Sequence, residues 1–327
     1  MRKISLSLFS YLITFSCLPN IAAATTAKIT PEQMVDALND VFGVHHQQRA
    51  SHAKGFCFSG KFIATGKGAE LSQAELLIKG AQADVVGRFS IGGGNPEAAD
   101  NAKNLRGLAF ELVNAKQSRW QFVMISSPFF FARTPQEFIE FLKVRVPDPK
   151  TGKPNPDRLS AFNQSYPHTL RQAQYIASQP VPASYGSIPY WGGSTFITYK
   201  DQEQHAVRWR MEPVKGRQGL SDEQAKAQLP NFLQEELRQR LTKGRVEYDL
   251  YATVAQKGDN LIDPTQSWPA DRREVNMGRL FIEQVTDQQC DKKVFIPTVL
   301  PPGIGVSNDP TLAIRTEAYL ISASRRE

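Results

Sequence analysis

The residues best suited to chemistry are a histidine early in the chain and a tyrosine late in it. His52 sits in Arg49-Ala50-Ser51-His52-Ala53-Lys54-Gly55, an imidazole preceded by a hydroxyl and flanked by two cations. Imidazole is the side chain that most readily takes and returns a proton near neutral pH. Tyr319 closes Arg315-Thr316-Glu317-Ala318-Tyr319, whose spacing puts Arg315 on the same face of a helix. A phenol serves as an anionic oxygen ligand when a cation stands beside it. Taken alone, His52 reads as a satisfied structural histidine, and Arg315 with Tyr319 as a surface pair. Other chemistries fare worse. The Gly-x-Ser-x-Gly elbow of a hydrolase is absent. Gly92-Gly93-Gly94 lacks the Gly-Lys ending of a phosphate loop and reads as a flexible turn. No Cys/His grouping has the spacing of a zinc site.

The elements that must position these residues predict an α+β chain. Strand-like runs begin at Gly55 and recur at 83–91, 105–112, 120–126, 194–200, 206–213, 244–256 and 276–286. About eight strands without regular helix alternation predict an antiparallel eight-stranded β-barrel with helical insertions. Residues 25–51 look largely helical, with Thr30 as N-cap, Pro31 in first position, an apolar stripe through Met34, Val35, Leu38, Val41 and Phe42, and Gly43 as the stop. An insert over 128–190 opens a helix at Thr134-Pro135-Gln136-Glu137, and a second over 221–242 breaks at Pro230. Near the C-terminus Asp309-Pro310 starts a short helix that carries Arg315 and Tyr319.

Composition bounds the function. With 327 residues, 41% hydrophobic and 22% charged, the chain has enough apolar content for a folded core. A net charge of +7 suits anionic ligands or plain solubility, and without a long Lys/Arg run nucleic acid is not the partner. Met1-Arg2-Lys3, the apolar run from Ile4 to Leu18, and Ala22-Ala23-Ala24 form a secretory signal peptide over residues 1–24. Its removal leaves one domain, 25–327, periplasmic or secreted, with no stable membrane anchor. An exported compartment permits a disulfide between Cys57 and Cys290, yet both lie in apolar or strand-like contexts, and the sequence favours two buried thiols.

Read together and in order, these segments resemble the heme catalase family, most closely its small exported members, the catalase-related peroxidases. The resemblance covers roughly residues 40–327. Arg49 to Gly55 resembles the family's Arg-x-x-His-Ala-Lys-Gly, and Arg88-Phe89-Ser90 its Arg-Phe-Ser. Leu105-Arg106-Gly107-Leu108-Ala109-Phe110 resembles the Arg-Gly-Phe-Ala strand, and Ser127-Pro128-Phe129-Phe130-Phe131-Ala132-Arg133 the Thr-Pro-x-Phe-Phe-x-Arg segment. Pro301-Pro302-Gly303-Ile304 followed by Arg315 to Tyr319 resembles the stretch that ends in the proximal ligand. The resemblance implies a heme b cofactor with Tyr319 as axial iron ligand, charge-balanced by Arg315. It makes His52 the distal proton carrier and Ser90 its orienting partner. Arg49 and Arg88 become propionate partners, with Arg326 a surface residue first and a third partner on the resemblance alone. Phe130 and Phe138 become an apolar distal wall.

The departures matter. The family's distal asparagine falls at Ile125, which cannot donate a hydrogen bond to peroxide. Ser51 replaces the usual valine before the histidine, and a hydroxyl there competes for the imidazole, as in catalase-like allene oxide synthases. Both argue against fast dismutation. The expected activity is reduction of hydrogen peroxide or organic hydroperoxides by a small organic reductant. The alternatives are hydroperoxide rearrangement and a non-catalytic barrel carrying heme or lipid. The chain runs only a few residues past Tyr319, without the family's long C-terminal extension, and has little of the N-terminal arm that ties catalase tetramers, so a monomer or dimer is expected.

Overall fold

The computed structural model describes residues 28–287 and 289–326, so the predicted leader lies outside the described residues. The first helix, α1, runs Pro31–Phe42. Strands β1 (Gly55–Ala64), β2 (Gln82–Ile91), β3 (Arg106–Val113) and β4 (Arg119–Ile125) follow as a meander. Three helices fill the first insert: α2 (Pro135–Lys143), α3 (Pro156–Ser165) and α4 (Leu170–Ser178). Strands β5 (Val181–Pro182), β6 (Tyr190–Trp191), β7 (Phe196–Lys200), β8 (Glu203–Pro213) and β9 (Gly219–Leu220) come next. The second insert holds α5 (Asp222–Lys226) and α6 (Phe232–Thr242), split around Pro230 as expected. Strands β10 (Val246–Val254), β11 (Glu274–Thr286) and β12 (Ile304–Val306) lead to α7, Pro310–Ser324.

Eight antiparallel strands close a barrel in the order β10-β11-β1-β2-β3-β4-β6-β8, with β8 pairing back onto β10. The ring differs from the expected set in one stave. Among the described residues β7 pairs as a strand with β8 and β12 alone and hangs outside the ring, while two-residue β6 bridges β4 and β8. Period-two alternation sends Phe58, Phe62, Phe89, Phe110, Trp120 and Tyr248 inward, where they are fully buried. Aromatic stacking fills the interior, as between Phe110 and Phe122 at 4.6 Å.

The helices form where local chemistry favours them. Thr30 caps α1 with a reciprocal Gln33 bond, Thr134 caps α2, and Asp309 caps α7 by accepting from Thr311 N and Leu312 N. Gly43, with φ of 80°, ends α1 as expected, and beyond it the largely helical span expected over 25–51 gives way to loop from residue 43 to 54. A second apolar cluster joins α1, α2 and α7 through Met34, Phe138, Ile139, Leu142 and Ile314. Cys57 and Cys290, expected to be thiols, form a disulfide with a Cα–Cα separation of 5.5 Å. A pairing between positions 233 residues apart depends on strand register that composition does not reveal.

Candidate active site

The site is built on the outer face of the barrel. Because Phe89, Leu108 and Met124 point inward, their neighbours point out. Two rows result from the register: Ser90 beside Gly107 beside Ile125, and Arg88 beside Ala109 beside Val123. Ala109, Val123 and Ile125 stay half-buried, an apolar strip on an outer barrel wall.

The loop carrying His52 lies over one end of that strip. His52 Nδ1 is 2.9 Å from Ser90 Oγ. His52 adopts φ of 56°, the left-handed region that costs a side-chain residue about 1 kcal/mol or more. Three contacts hold it there. Ala53 N donates to Gly93 O, and Arg88 Nη1 and Nη2 donate to the carbonyls of His52 and Ala53 at 2.8 Å each. Lys54 reaches away to buried Asp100 and to the carbonyls of Ala98 and Pro230. A Cβ at Gly107 would stand 2.5 Å from Ser90 Oγ and 2.7 Å from His52 Nδ1, so only glycine admits the pair. The glycine triplet is also more than a flexible turn. A Cβ at Gly94 would meet Ala50 O at 2.6 Å and Phe42 at 2.7 Å, so the turn is pressed between α1 and the histidine loop.

Burial pushes His52 down to about 4, helped by the positive charges of Arg88, Arg315 and Arg49. The imidazole is therefore neutral at ordinary pH and able to accept a proton. Arg315 acting on His52 places the C-terminal helix in the same electrostatic neighbourhood. On that helix Arg315 Nη2 and Nε donate to Tyr319 Oη at 2.6 and 3.1 Å. Thr316 bonds to Thr298, fixing the helix to the segment before β12. Arg315 also lines a small cavity with Val123 and Gly193, and Phe130 Cβ is 3.9 Å from where a Gly193 side chain would start. Phe138 is buried, at 6.4 Å from Phe130 with rings nearly parallel, and Phe131 packs between them and Phe141.

Arg49 and Arg88 form a cationic cluster with Arg326. Burial, then Arg88 and Arg326, bring Arg49 down to about 9, against the single opposing influence of Asp291. Arg49 Nη2 donates to the carbonyls of Cys290, Asp291 and Lys293 at 3.1 to 3.2 Å. Arg326 Nη1 donates to Asp291 O at 3.4 Å. Arg88 is buried, and its Nε has no hydrogen-bond partner. Neutral carbonyls leave the Arg49 and Arg88 charges largely unbalanced, a setting that asks for anions.

The catalase family model matches residues 31–326. The chain belongs to the catalase family. It is 36% identical over 302 residues to a catalase-related peroxidase of Synechococcus elongatus, covering 91% of this chain and 89% of that one. It is 31% identical to a catalase-related peroxidase of Mycolicibacterium paratuberculosis, covering 91% and 95%. Among solved structures, catalase A of Saccharomyces cerevisiae superposes with a TM-score of 0.76 at 22% identity, over 85% of this chain and 61% of that one. That likeness shows the catalase fold. This catalase-family chain spans about three fifths of the yeast enzyme's length.

The family generally binds heme, and the donor set here fits one by its chemistry. It offers a phenolic oxygen backed by a guanidinium, a neutral imidazole, a half-buried apolar strip for a macrocycle, and the under-neutralised Arg49 and Arg88 for carboxylates. The sequence resemblance had named every polar member. It gave no role to Gly107 or to the 290–293 turn. A glycine aligned in register with Ser90 is the signal that reveals the first; the second has none, because its contribution is backbone carbonyls.

Proposed function

We propose that this protein is a heme b-dependent peroxidase that reduces hydrogen peroxide or an organic hydroperoxide at the expense of a small organic reductant. The observation that carries the reading is the convergence of the His52–Ser90 pair and the Arg315–Tyr319 pair beside one apolar strip. The peroxidase names of its relatives support it over hydroperoxide rearrangement and over a non-catalytic carrier. A ferric porphyrin held here supplies the redox equivalents for peroxide reduction. Tyr319 would hold its iron, with Arg315 balancing the phenolate charge. Arg49, Arg88 and Arg326 would take its carboxylates, and Phe130 and Phe138 would keep the distal side dry.

The chain's own part in turnover is proton handling. With the proton on Nδ1, His52 donates to Ser90 Oγ and keeps a lone pair on Nε2. That lone pair takes the proton of the incoming hydroperoxide, and the imidazole then gives it to the departing oxygen, which leaves as water or alcohol. Ser90 holds the ring in that tautomer. Ile125 donates nothing to a second peroxide molecule, so dismutation is slow and an organic donor completes the cycle. Export through residues 1–24 to the periplasm or beyond, and a monomeric or dimeric state, complete the proposal. The test is reconstitution with heme. A Soret band with high-spin tyrosinate features and peroxide-dependent oxidation of a phenolic dye are expected. Heme-loaded protein that leaves the dye unoxidised would overturn the reading.

A further inference from the structure

We propose that the Cys57–Cys290 disulfide is a positioning element for the cofactor, holding the 290–293 turn so that its carbonyls fix the Arg49 guanidinium where a heme carboxylate binds. The inference rests on the heme reading above. Cys57 lies on β1 directly opposite Arg88 on one side and Thr286 of β11 on the other. Pairing of β1 with β11 already brings Thr286 to Cys57, so the bridge adds little to barrel closure. What it restrains is Cys290 and the turn that follows. Both sulfurs are buried, at 1% and 0% residue exposure, under Phe295 and the outer-face residues Val86, Ala109 and Val123.

The turn presents three carbonyls to a single Arg49 nitrogen and shares that of Asp291 with Arg326. Beyond it, Lys293 pairs with buried Glu111, Ile296 N donates to Gln121 Oε1, and Gln121 N donates to Val299 O. These bonds fasten the downstream end of the strap to the barrel. The upstream end, with the Cys290 and Asp291 carbonyls, has the disulfide. A guanidinium held in advance loses less side-chain entropy on binding an anion. Without the bridge, Arg49 would sample more conformations, and the cofactor's carboxylate edge would be held less tightly.

The experiment compares wild type, Cys57→Ala/Cys290→Ala, Arg49→Met and the combined variant, all loaded with heme and mixed with excess apomyoglobin to capture released heme. The double cysteine variant should release heme about tenfold faster, the scale typical of lost outer-shell support. Its Soret position and far-UV circular dichroism should stay unchanged, because the axial ligand and the barrel are intact. The combined variant should release heme no faster than Arg49→Met alone, because the bridge acts through that arginine. Release at the wild-type rate, or an acceleration that simply multiplies with that of Arg49→Met, would overturn the proposal. If the cysteine variant does not fold, Arg49→Met decides, since it keeps the bridge: unchanged release sinks the positioning role. Wild type that takes up no heme would instead sink the underlying peroxidase reading.

Discussion

His52 combines three features that an ordinary core histidine lacks together: a left-handed backbone, a side-chain hydroxyl partner and a depressed pKa. The strained backbone and the depressed pKa cost stability, and with the serine's hydrogen bond they hold an uncharged base in a cationic setting. Replacing His52 with Gln should lower peroxidase turnover by about 100-fold or more while heme stays bound, measured by dye oxidation alongside the Soret band. Retained turnover would remove His52 from the proton path. Gly107 makes a sharper steric claim. In Gly107→Ala the new methyl would overlap Ser90 Oγ and His52 Nδ1, so turnover should fall and stability drop by about 1–3 kcal/mol in denaturant melts.

At the scale of elements, α7 is the piece that delivers Tyr319, and its entry is set by Asp309. That carboxylate is buried and accepts from Thr311 N at 2.8 Å, Thr311 Oγ1 at 2.7 Å and Leu312 N at 3.3 Å. Asp309→Ala should cost about 1–2 kcal/mol in a thermal or denaturant transition, and should broaden the heme spectrum as the helix start loosens. How far such elements are legible depends on their length. The capped helices and the eight long strands announce themselves by cap residues and by period, as Thr30-Pro31, Thr134-Pro135 and the alternation from Val246 show. β6 is invisible to pattern because two residues between Pro189 and Gly192 carry no period. The disulfide and the partners of Arg49 are hidden for another reason: both depend on where the chain after β11 folds back, which is a tertiary fact. The pairs His52–Ser90 and Arg315–Tyr319 were legible because one spans matched motifs and the other a single helical turn.

At the scale of the whole molecule, the depressed His52 pKa becomes a stability statement. The folded state holds the imidazole near 4, whereas an unfolded histidine titrates near 6.5. As pH falls from 6.5 towards 4, the unfolded chain takes up a proton that the folded chain refuses, so stability declines across that window and levels off below it. Denaturant midpoints measured from pH 7 to 4 should show this decline in wild type and a shallower one in His52→Gln. Equal slopes would mean that other groups govern the acid limb. The topology adds a kinetic expectation, since β1 pairs with β11 and much of the chain must be in place before the barrel closes.

The two-residue stave β6 has a mechanical corollary. A hoop is only as tight as its shortest joint, and here the two-residue strand β6 laces β4 to β8, with Trp191 opposite Ile125. Native-state deuterium uptake should therefore be faster at the Trp191 amide than at the amides of Phe89 or Phe110, deep in long ladders. A seam that unzips there would loosen the wall beside Ile125 first, making that joint the natural place for the shell to breathe.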